Sequence, residues 1–161
     1  MPVTEATLPE DAFLQRYAQR DDCYTDCFSS TATGVVPLSQ LISQFYQTPL
    51  FRAERIILKL TVRRPSTAAD VAALANGTTK RFAAWDVEDR TTDQILLCDL
   101  HARTRSWLMC RPVGDLTRLY FGSAVTPPQP DAPLGFGFNA LLGAHKVYSR
   151  LLLAGATKRL S

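Results

Sequence analysis

The sequence lacks a long hydrophobic run, and this absence argues against a membrane-spanning helix. The most apolar stretch, Leu141 to Ala156, is interrupted by His145, Lys146 and Arg150. It is also shorter than the ~20 apolar residues that a bilayer-spanning helix needs. Residues 1–12 contain acids and prolines in place of the basic and apolar regions of a secretory signal. We therefore expect a cytoplasmic protein with no membrane span.

Net charge is also low. The 18 basic and 15 acidic residues leave a formal charge of +3, and the basic residues are scattered, with short clusters such as Arg63-Arg64 and Arg103/Arg105. A protein that binds nucleic acid usually shows a basic stripe with aromatic residues between the charges. We therefore expect no nucleic-acid partner.

The four cysteines include no pair with the C-x-x-C spacing. Cys23 and Cys27 fall on an apparent strand, where four residues span ~13 Å, too far for a disulfide. Cys98 and Cys110 fall on neighbouring strands and could approach each other. A cytosolic chain keeps its thiols reduced. Buried apolar thiols are favoured over metal or redox roles, because free cysteine is often a core residue.

Familiar catalytic and cofactor motifs are absent as well. No serine lies in a G-x-S-x-G nucleophile elbow. Gly135-Phe136-Gly137 lacks the strand–loop–helix context of a phosphate-binding loop. We therefore expect no cofactor and no metal site.

What is present fits one globular domain over residues 1–161. A chain of 161 residues is long enough to bury roughly two thirds of its unfolded surface. Its hydrophobic content of 46% is ordinary for a folded domain.

The first half of the chain predicts one strand among several helices. Proline and acids at Pro9-Glu10-Asp11 favour the start of a short helix that ends near Arg20. A second helix opens at Pro37, because apolar residues recur at helical spacing from Leu38 to Tyr46. The other predicted elements are a strand over Asp22–Thr33, a helix from Thr48-Pro49 to about Leu60, and a helix over Ala68–Ala75 with Thr67 and Asp70 as a capping box.

The second half predicts a meander of strands followed by a long helix. The strands cover Lys80–Glu88, Gln94–His101, Arg105–Val113 and Leu116–Val125, which makes five with the earlier strand. The central strands are apolar on both faces, so helices should cover one face and another layer the other. The terminal helix begins no later than Phe138. The pattern predicts an α+β fold in which an antiparallel sheet wraps around a long C-terminal helix.

This order of elements resembles the START-like, helix-grip superfamily, which includes lipid-transfer START domains, plant pathogenesis-related allergens and polyketide cyclases. The chain is similar in particular to uncharacterised bacterial proteins of that class, which supply no catalytic residues to carry over. It differs in the inserted helix over Ser66 to Gly77 and in lacking the Gly-rich loop of the allergens. The resemblance spans nearly the whole chain and is carried by the segments at Tyr24–Phe28, Pro37–Leu60, Phe82–Val87 and Leu119–Val125.

Two sets of polar residues are candidates for chemistry. His145 lies in the apolar stripe of the terminal helix, where an imidazole could contact a ligand or transfer protons. The alternative is a partly buried histidine bonded to a carbonyl. Asp99 and His101 share one strand face and could act as an acid/base pair, or Asp99 could pair with Arg105 at a solvent-facing hairpin end.

Three hypotheses for function follow. The first is binding of a small hydrophobic or aromatic ligand between the sheet and the C-terminal helix. The second is a cyclase- or hydratase-type enzyme that uses His145 or Asp99. The third is an interaction protein with a filled core, and either a monomer or a homodimer is compatible with all three. The candidate wall residues of the cavity are Trp107, Tyr120, His145, Tyr148 and Asp99.

Overall fold

The computed structural model describes residues 2–48, 67–127, 129, 134 and 136–160, with the backbone alone for 136–141. Seven strands and four helices lie within these residues. The strands are β1 (Thr4–Glu5), β2 (Tyr24–Thr33), β3 (Arg81–Phe82), β4 (Trp85–Arg90), β5 (Gln94–Asp99), β6 (Thr104–Val113) and β7 (Leu116–Val125). The helices are α1 (Gln15–Ala18), α2 (Leu38–Tyr46), α3 (Ala68–Ala75) and α4 (Phe136–Leu160).

The strands form one antiparallel sheet in the order β1-β2-β7-β6-β5-β4-β3. The prediction of five strands is wrong, because β1 and β3 are additional strands of two residues each. The strand predicted over Lys80–Glu88 is divided into β3 and β4 by a tight turn, in which Ala83 adopts a φ of 52°. The α+β class with an antiparallel sheet and a long C-terminal helix is confirmed.

One face of the sheet is covered by α2, α3 and α4. We call the residues buried there the helix-side cluster. It joins apolar side chains of these helices to inward-facing residues of the strands. Its members include Phe28, Leu41, Ile42, Phe45, Val71, Leu74, Ile95, Leu97, Leu108, Phe121, Leu152 and Leu153.

The other face is covered by the N-terminal segment before β2. This second layer explains why the central strands are apolar on both faces, as the sequence predicted. We call these buried residues the N-terminal cluster, and it consists of Ala12, Leu14, Tyr17, Cys27, Leu96, Trp107, Met109, Tyr120 and Ala124.

The helix predictions have mixed outcomes. The amphipathic helix α2 and the capping box of α3 are confirmed, with Thr67 Oγ1 accepting from Asp70 N and the Asp70 carboxylate accepting from Thr67 N. The prediction of a helix from Pro9 to Arg20 is wrong in extent, because only Gln15–Ala18 is helical. The helix predicted from Thr48-Pro49 to about Leu60 lies almost entirely outside the described residues.

Cys98 and Cys110, which could have approached each other on neighbouring strands, lie at opposite ends of the β5–β6 hairpin. Cys98 lies opposite Arg105 near the turn of the β5–β6 hairpin, whereas Cys110 lies beyond the Gln94–Met109 pair at the other end. All four thiols are free. None of the described helices is long and apolar enough to cross a bilayer.

Candidate functional site

A cavity of about 200 Å³ lies between the helix-covered face of the sheet, α2 and α4. Its wall is mainly aromatic and aliphatic, with a few polar side chains on the strands and on α4. Such a composition is typical of a small-molecule pocket, in which a few polar groups fix the orientation of a ligand. The described residues that line it are Phe45, Tyr46, Trp85, Thr104, Arg105, Ser106, Phe121, Ser123, Ala124, Val125, His145, Tyr148 and Leu152.

A hydrogen-bonded cluster of Tyr24, Asp26, Ser123 and His145 adjoins this cavity. The Ser123 hydroxyl donates to Asp26 Oδ1 at 2.5 Å and lies 2.8 Å from His145 Nε2. His145 Nε2 is also 3.3 Å from Asp26 Oδ2. The Tyr24 hydroxyl donates to the same Oδ2 at 3.1 Å, and the Ser123 backbone N–H donates to Oδ1 at 3.0 Å.

Strand register and helix packing bring this cluster together. Asp26 of β2 lies directly opposite Ser123 of β7, and both side chains face the helices. His145 is in the part of α4 that crosses this strand pair, and its ring meets that of Tyr24 edge-on at 6.4 Å between centroids. The Asp26 side chain is 6% exposed and that of His145 is 32% exposed, so the carboxylate is covered while the imidazole remains accessible.

Gly122 allows the two strands to meet closely beside the cluster. A Cβ atom at this position would lie 2.8 Å from the backbone oxygen of Asp26, 2.8 Å from Leu14 and 3.1 Å from Trp107. A larger residue would therefore push β2 and the N-terminal layer away from β7. The glycine thus supports the distance at which Asp26 and Ser123 hydrogen-bond.

The Asp26 charge also affects neighbouring groups. Burial, together with the nearby carboxylate, raises the pKa of the Tyr24 phenol far above its usual range, so the phenol stays protonated and donates. Burial and the same charge raise the pKa of the Cys27 thiol to about 12. A carboxylate that accepts several hydrogen bonds in a covered position needs such donors, because an unpaired buried charge is strongly unfavourable.

Ser123 is not arranged as a nucleophile. An activated serine gives its hydroxyl proton to a histidine, which a carboxylate supports at the other ring nitrogen. Here the Ser123 proton goes to Asp26, and both groups meet the same nitrogen of His145. The arrangement instead presents His145 as a hydrogen-bonding or proton-transferring group held by Asp26 and Ser123.

The structure brings together two of the five candidate wall residues. His145 and Tyr148 both line the cavity. Trp107 and Tyr120 lie on the opposite face of the sheet within the N-terminal cluster, with 6.0 Å between their ring centroids. The Trp107 indole N–H donates to Gln94 Oε1 at 2.9 Å.

Asp99 serves the turn between β5 and β6. Its Oδ1 accepts the backbone N–H groups of Arg103 and Thr104 at 2.6 and 3.0 Å. The pairing of Asp99 with Arg105 is not formed, because the Arg105 guanidinium bonds Glu88 at 3.1 Å. His101 is exposed in the turn after β5 rather than on the strand, so it does not share a strand face with Asp99.

The residues that sequence reasoning missed come from strands distant in the chain. Asp26 and Ser123 are 97 positions apart and meet only through the β2–β7 register. One signal was available: Asp26 alternates with Tyr24 and Phe28 on one face of β2, which places a carboxylate on an inward face. Within the described residues, no group of three or more histidine, cysteine or acidic side chains is placed to hold a metal ion.

Comparison with known proteins adds no family: no protein-family model, curated protein or solved structure matches this chain.

Proposed function

We propose that this protein binds a small, mostly apolar molecule that contains an aromatic ring. The observation that carries the proposal is the cavity between the sheet and α4, with aromatic walls and the Asp26–Ser123–His145 cluster beside it. Apolar walls supply the free energy of binding, and the cluster orients the ligand.

The size of the cavity limits the ligand. A dry apolar cavity of roughly 150 Å³ accommodates benzene, whereas pockets for drug-sized molecules are usually about 300–1,000 Å³. The cavity of about 200 Å³ therefore suits one substituted ring.

The order of elements supports a START-like, helix-grip affiliation, which we retain as part of the proposal. Strands β3 to β7 of the antiparallel sheet follow the helices α1 to α3 along the chain, and a long terminal helix packs over β2 and β7. The superfamily resemblance implies a ligand between sheet and helix, which is where the cavity lies. A fold allows such a function but does not establish it, so the cavity itself is the main support for ligand binding.

Proton transfer is a second candidate function, and one observation favours it. His145 and Asp26 form an ionisable pair 3.3 Å apart, and His145 lines the cavity. A histidine held by a carboxylate is a common general acid or base. Asp99 is not among the described residues that line the cavity, and its Oδ1 accepts two backbone bonds within the hairpin turn. Deuterium uptake by a bound compound in heavy water, lost in His145→Gln, would support this function.

An interaction surface has less support among the described residues. The exposed large apolar side chains there are Val35, Leu100, Val113, Val147 and Leu151. Of these, Val147 and Leu151 are one turn apart on α4, and the others are scattered over loops and strand ends. Such scattered residues are normal on a protein surface.

The first experiment is native mass spectrometry of the purified protein, followed by organic extraction and identification of any bound compound. A co-purifying ring compound would establish the ligand class. In parallel, single-ring aromatic compounds should raise the melting temperature, because a ligand that binds only the folded state stabilises it by mass action. The free energy of unfolding rises by about 2.7 kcal/mol when the ligand is at 100 times its dissociation constant.

A cavity-filling variant tests the location. Ser106 is a half-buried residue of β6 that lines the cavity, with its Oγ 3.5 Å from the Tyr46 hydroxyl. We expect Ser106→Leu to remain folded and to abolish the ligand-induced rise in melting temperature. Ser29→Leu is the matched control, because Ser29 is a half-buried serine of β2 on the opposite sheet face. An unchanged ligand response in Ser106→Leu would refute the proposed location.

A further inference from the structure

The directions of the hydrogen bonds around His145 determine which ring nitrogen carries the proton. The Ser123 hydroxyl has one proton, and it is donated to Asp26 Oδ1 at 2.5 Å. The Ser123 oxygen can therefore only accept from His145 Nε2, which lies 2.8 Å away. The other group near this nitrogen is Asp26 Oδ2 at 3.3 Å, which is also an acceptor. Nε2 consequently carries the proton.

The second ring nitrogen is left with a lone pair. In the neutral form of an imidazole, one nitrogen donates and the other accepts, so in that form Nδ1 of His145 is the acceptor. Within the described part of the chain, no side chain or backbone group hydrogen-bonds this nitrogen. Since the ring is 32% exposed and lines the cavity, Nδ1 is available to a bound molecule.

We propose that the cavity selects a neutral ring compound bearing a hydroxyl group, whose O–H donates a hydrogen bond to Nδ1 of His145. This inference rests on the proposed ligand-binding function and specifies its ligand class as phenols and related enols. Asp26 and Ser123 act as positioning residues, because they hold Nε2–H and thereby leave Nδ1 as the acceptor.

The charges around the cavity disfavour an anionic ligand. Asp26 places a covered carboxylate 3.3 Å from Nε2 of His145. A negatively charged ligand beside the imidazole would be repelled by this carboxylate. Arg105 lines the cavity, but its guanidinium is paired with Glu88 at 3.1 Å and bonded to the Ala102 carbonyl. Lys146 lies 3.7 Å from Glu5. No described cation is left to neutralise a carboxylate ligand beside His145.

The aromatic wall favours a ring. Trp85, Phe121 and Tyr148 line the cavity together with Phe45 and Tyr46 of α2. Aromatic side chains bind a flat ring through offset or edge-to-face contacts. A phenol satisfies both parts of the site, because its ring meets these side chains while its hydroxyl meets the imidazole.

The experiment compares two isomeric probes on the whole protein at about pH 8, where a histidine ring is ordinarily neutral. Para-ethylphenol has a hydroxyl donor, and its isomer para-methylanisole has only an ether acceptor. We expect calorimetric titration to show the phenol binding roughly three- to tenfold more tightly, as expected for one neutral hydrogen bond. Para-toluate, an anion of similar size, should bind more weakly than both.

His145→Phe keeps an aromatic ring and removes the acceptor. We expect this variant to bind both isomers equally, because the preference for the phenol depends on a hydrogen bond to Nδ1 and phenylalanine has no ring nitrogen. Ser106→Leu should bind neither isomer. A persistent phenol preference in folded His145→Phe would overturn the assignment of the hydroxyl to His145.

A spectroscopic measurement on the unaltered protein keeps the inference testable if His145→Phe does not fold. The chain contains two histidines, so isotope-labelled histidine gives only the ring signals of His101 and His145. We expect Nδ1 of His145 to be the unprotonated nitrogen and its signal to move when para-ethylphenol is added. Exposed His101 serves as the internal reference. A proton on Nδ1 of neutral His145 would overturn the inference.

The outcomes separate this inference from the broader function. Equal binding of the two isomers to the wild type, or tightest binding of para-toluate, would refute the hydroxyl preference and leave ligand binding intact. Absence of binding by every probe would refute the inference and count against an aromatic ligand in this cavity. Binding that survives unchanged in Ser106→Leu would refute both the inference and the location of the site.

Discussion

Three polar side chains of α4 differ in how their hydrogen bonds are satisfied. His145 bonds Ser123, and the Thr157 hydroxyl donates to the Leu153 carbonyl at 2.9 Å. Ser149, one turn after His145, is fully buried, and its hydroxyl has no hydrogen-bond partner among the described residues. A buried hydroxyl without a partner is destabilising, because it loses its bonds to water and gains none in return.

We therefore expect Ser149→Ala to stabilise the protein by about 1 kcal/mol. The substitution removes the unpaired hydroxyl and also introduces a better helix former. Urea unfolding followed by circular dichroism measures the difference. Thr157→Ala is the control, since it removes a hydroxyl that is bonded and should destabilise. If Ser149→Ala instead lowered the free energy of unfolding by more than about 1 kcal/mol, the claim that the Ser149 hydroxyl lacks a hydrogen-bond partner would be wrong.

The sequence could predict some residues of the site and not others. His145 and Tyr148 were found because helical spacing places them on the inward stripe of one element. Asp26 and Ser123 belong to strands whose pairing is set by the fold as a whole, and a shift of one residue in register would separate them. Trp107 and Tyr120 were assigned to the cavity because a strand that is apolar on both faces does not reveal which face meets the helices.

At the scale of elements, the helix α4 has one buried side and one exposed side, and both carry large apolar residues. Leu152 and Leu153 are 2% and 0% exposed, whereas Val147 and Leu151 are 57% and 56% exposed. The exposure of Val147 and Leu151 shows that the packed stripe of α4 is narrow.

The neighbouring leucines of α4 provide a matched test of this division. We expect Leu152→Ala to lower the free energy of unfolding by roughly 2–5 kcal/mol, because it leaves a cavity in the helix-side cluster. Leu151→Ala should change it by less than about 0.5 kcal/mol, since that side chain is largely in water. Chemical denaturation of both variants measures this, and equal effects would show that the helix packs in another orientation.

The elements themselves were predictable in proportion to the strength of their local pattern. The bounds of β7 and of α3 agree with the sequence prediction, because turn residues and a capping box mark their ends. The strands β1 and β3 have two residues each, too few to show alternation. The helix predicted from Pro9 is mostly turns, because this segment follows the outer face of the sheet to bury Ala12, Leu14 and Tyr17.

For the molecule as a whole, burial of weak acids in both layers links stability to pH. Burial raises the pKa of Cys27 and of Cys110 from 9.0 to about 12. Burial and the hydrogen bond to Glu88 raise the pKa of Tyr17 from 10.0 to about 12. Cys110 belongs to the helix-side cluster, and Cys27 and Tyr17 belong to the N-terminal cluster.

We expect the free energy of unfolding to fall as the pH rises from about 9 to about 12. A raised pKa in the folded state means that the unfolded chain releases its proton first, so the contribution is complete below the unfolded pKa and is lost as pH rises through the folded pKa. Urea unfolding at a series of pH values measures the decline. The Tyr17→Phe variant should be less stable than the wild type at neutral pH, but its free energy of unfolding should fall less steeply above about pH 10. Parallel curves for variant and wild type would contradict the assignment to Tyr17.

The sheet is covered on both faces, and this has a consequence for optical measurements. The chain contains two tryptophans, and they lie on opposite faces: Trp85 lines the cavity, and Trp107 is fully buried under the N-terminal segment. Intrinsic fluorescence therefore has one reporter for each layer. Trp85→Phe leaves emission that follows the N-terminal layer, and Trp107→Phe leaves emission that a ring compound in the cavity can quench. A single pair of variants thus distinguishes occupation of the cavity from loosening of the opposite face.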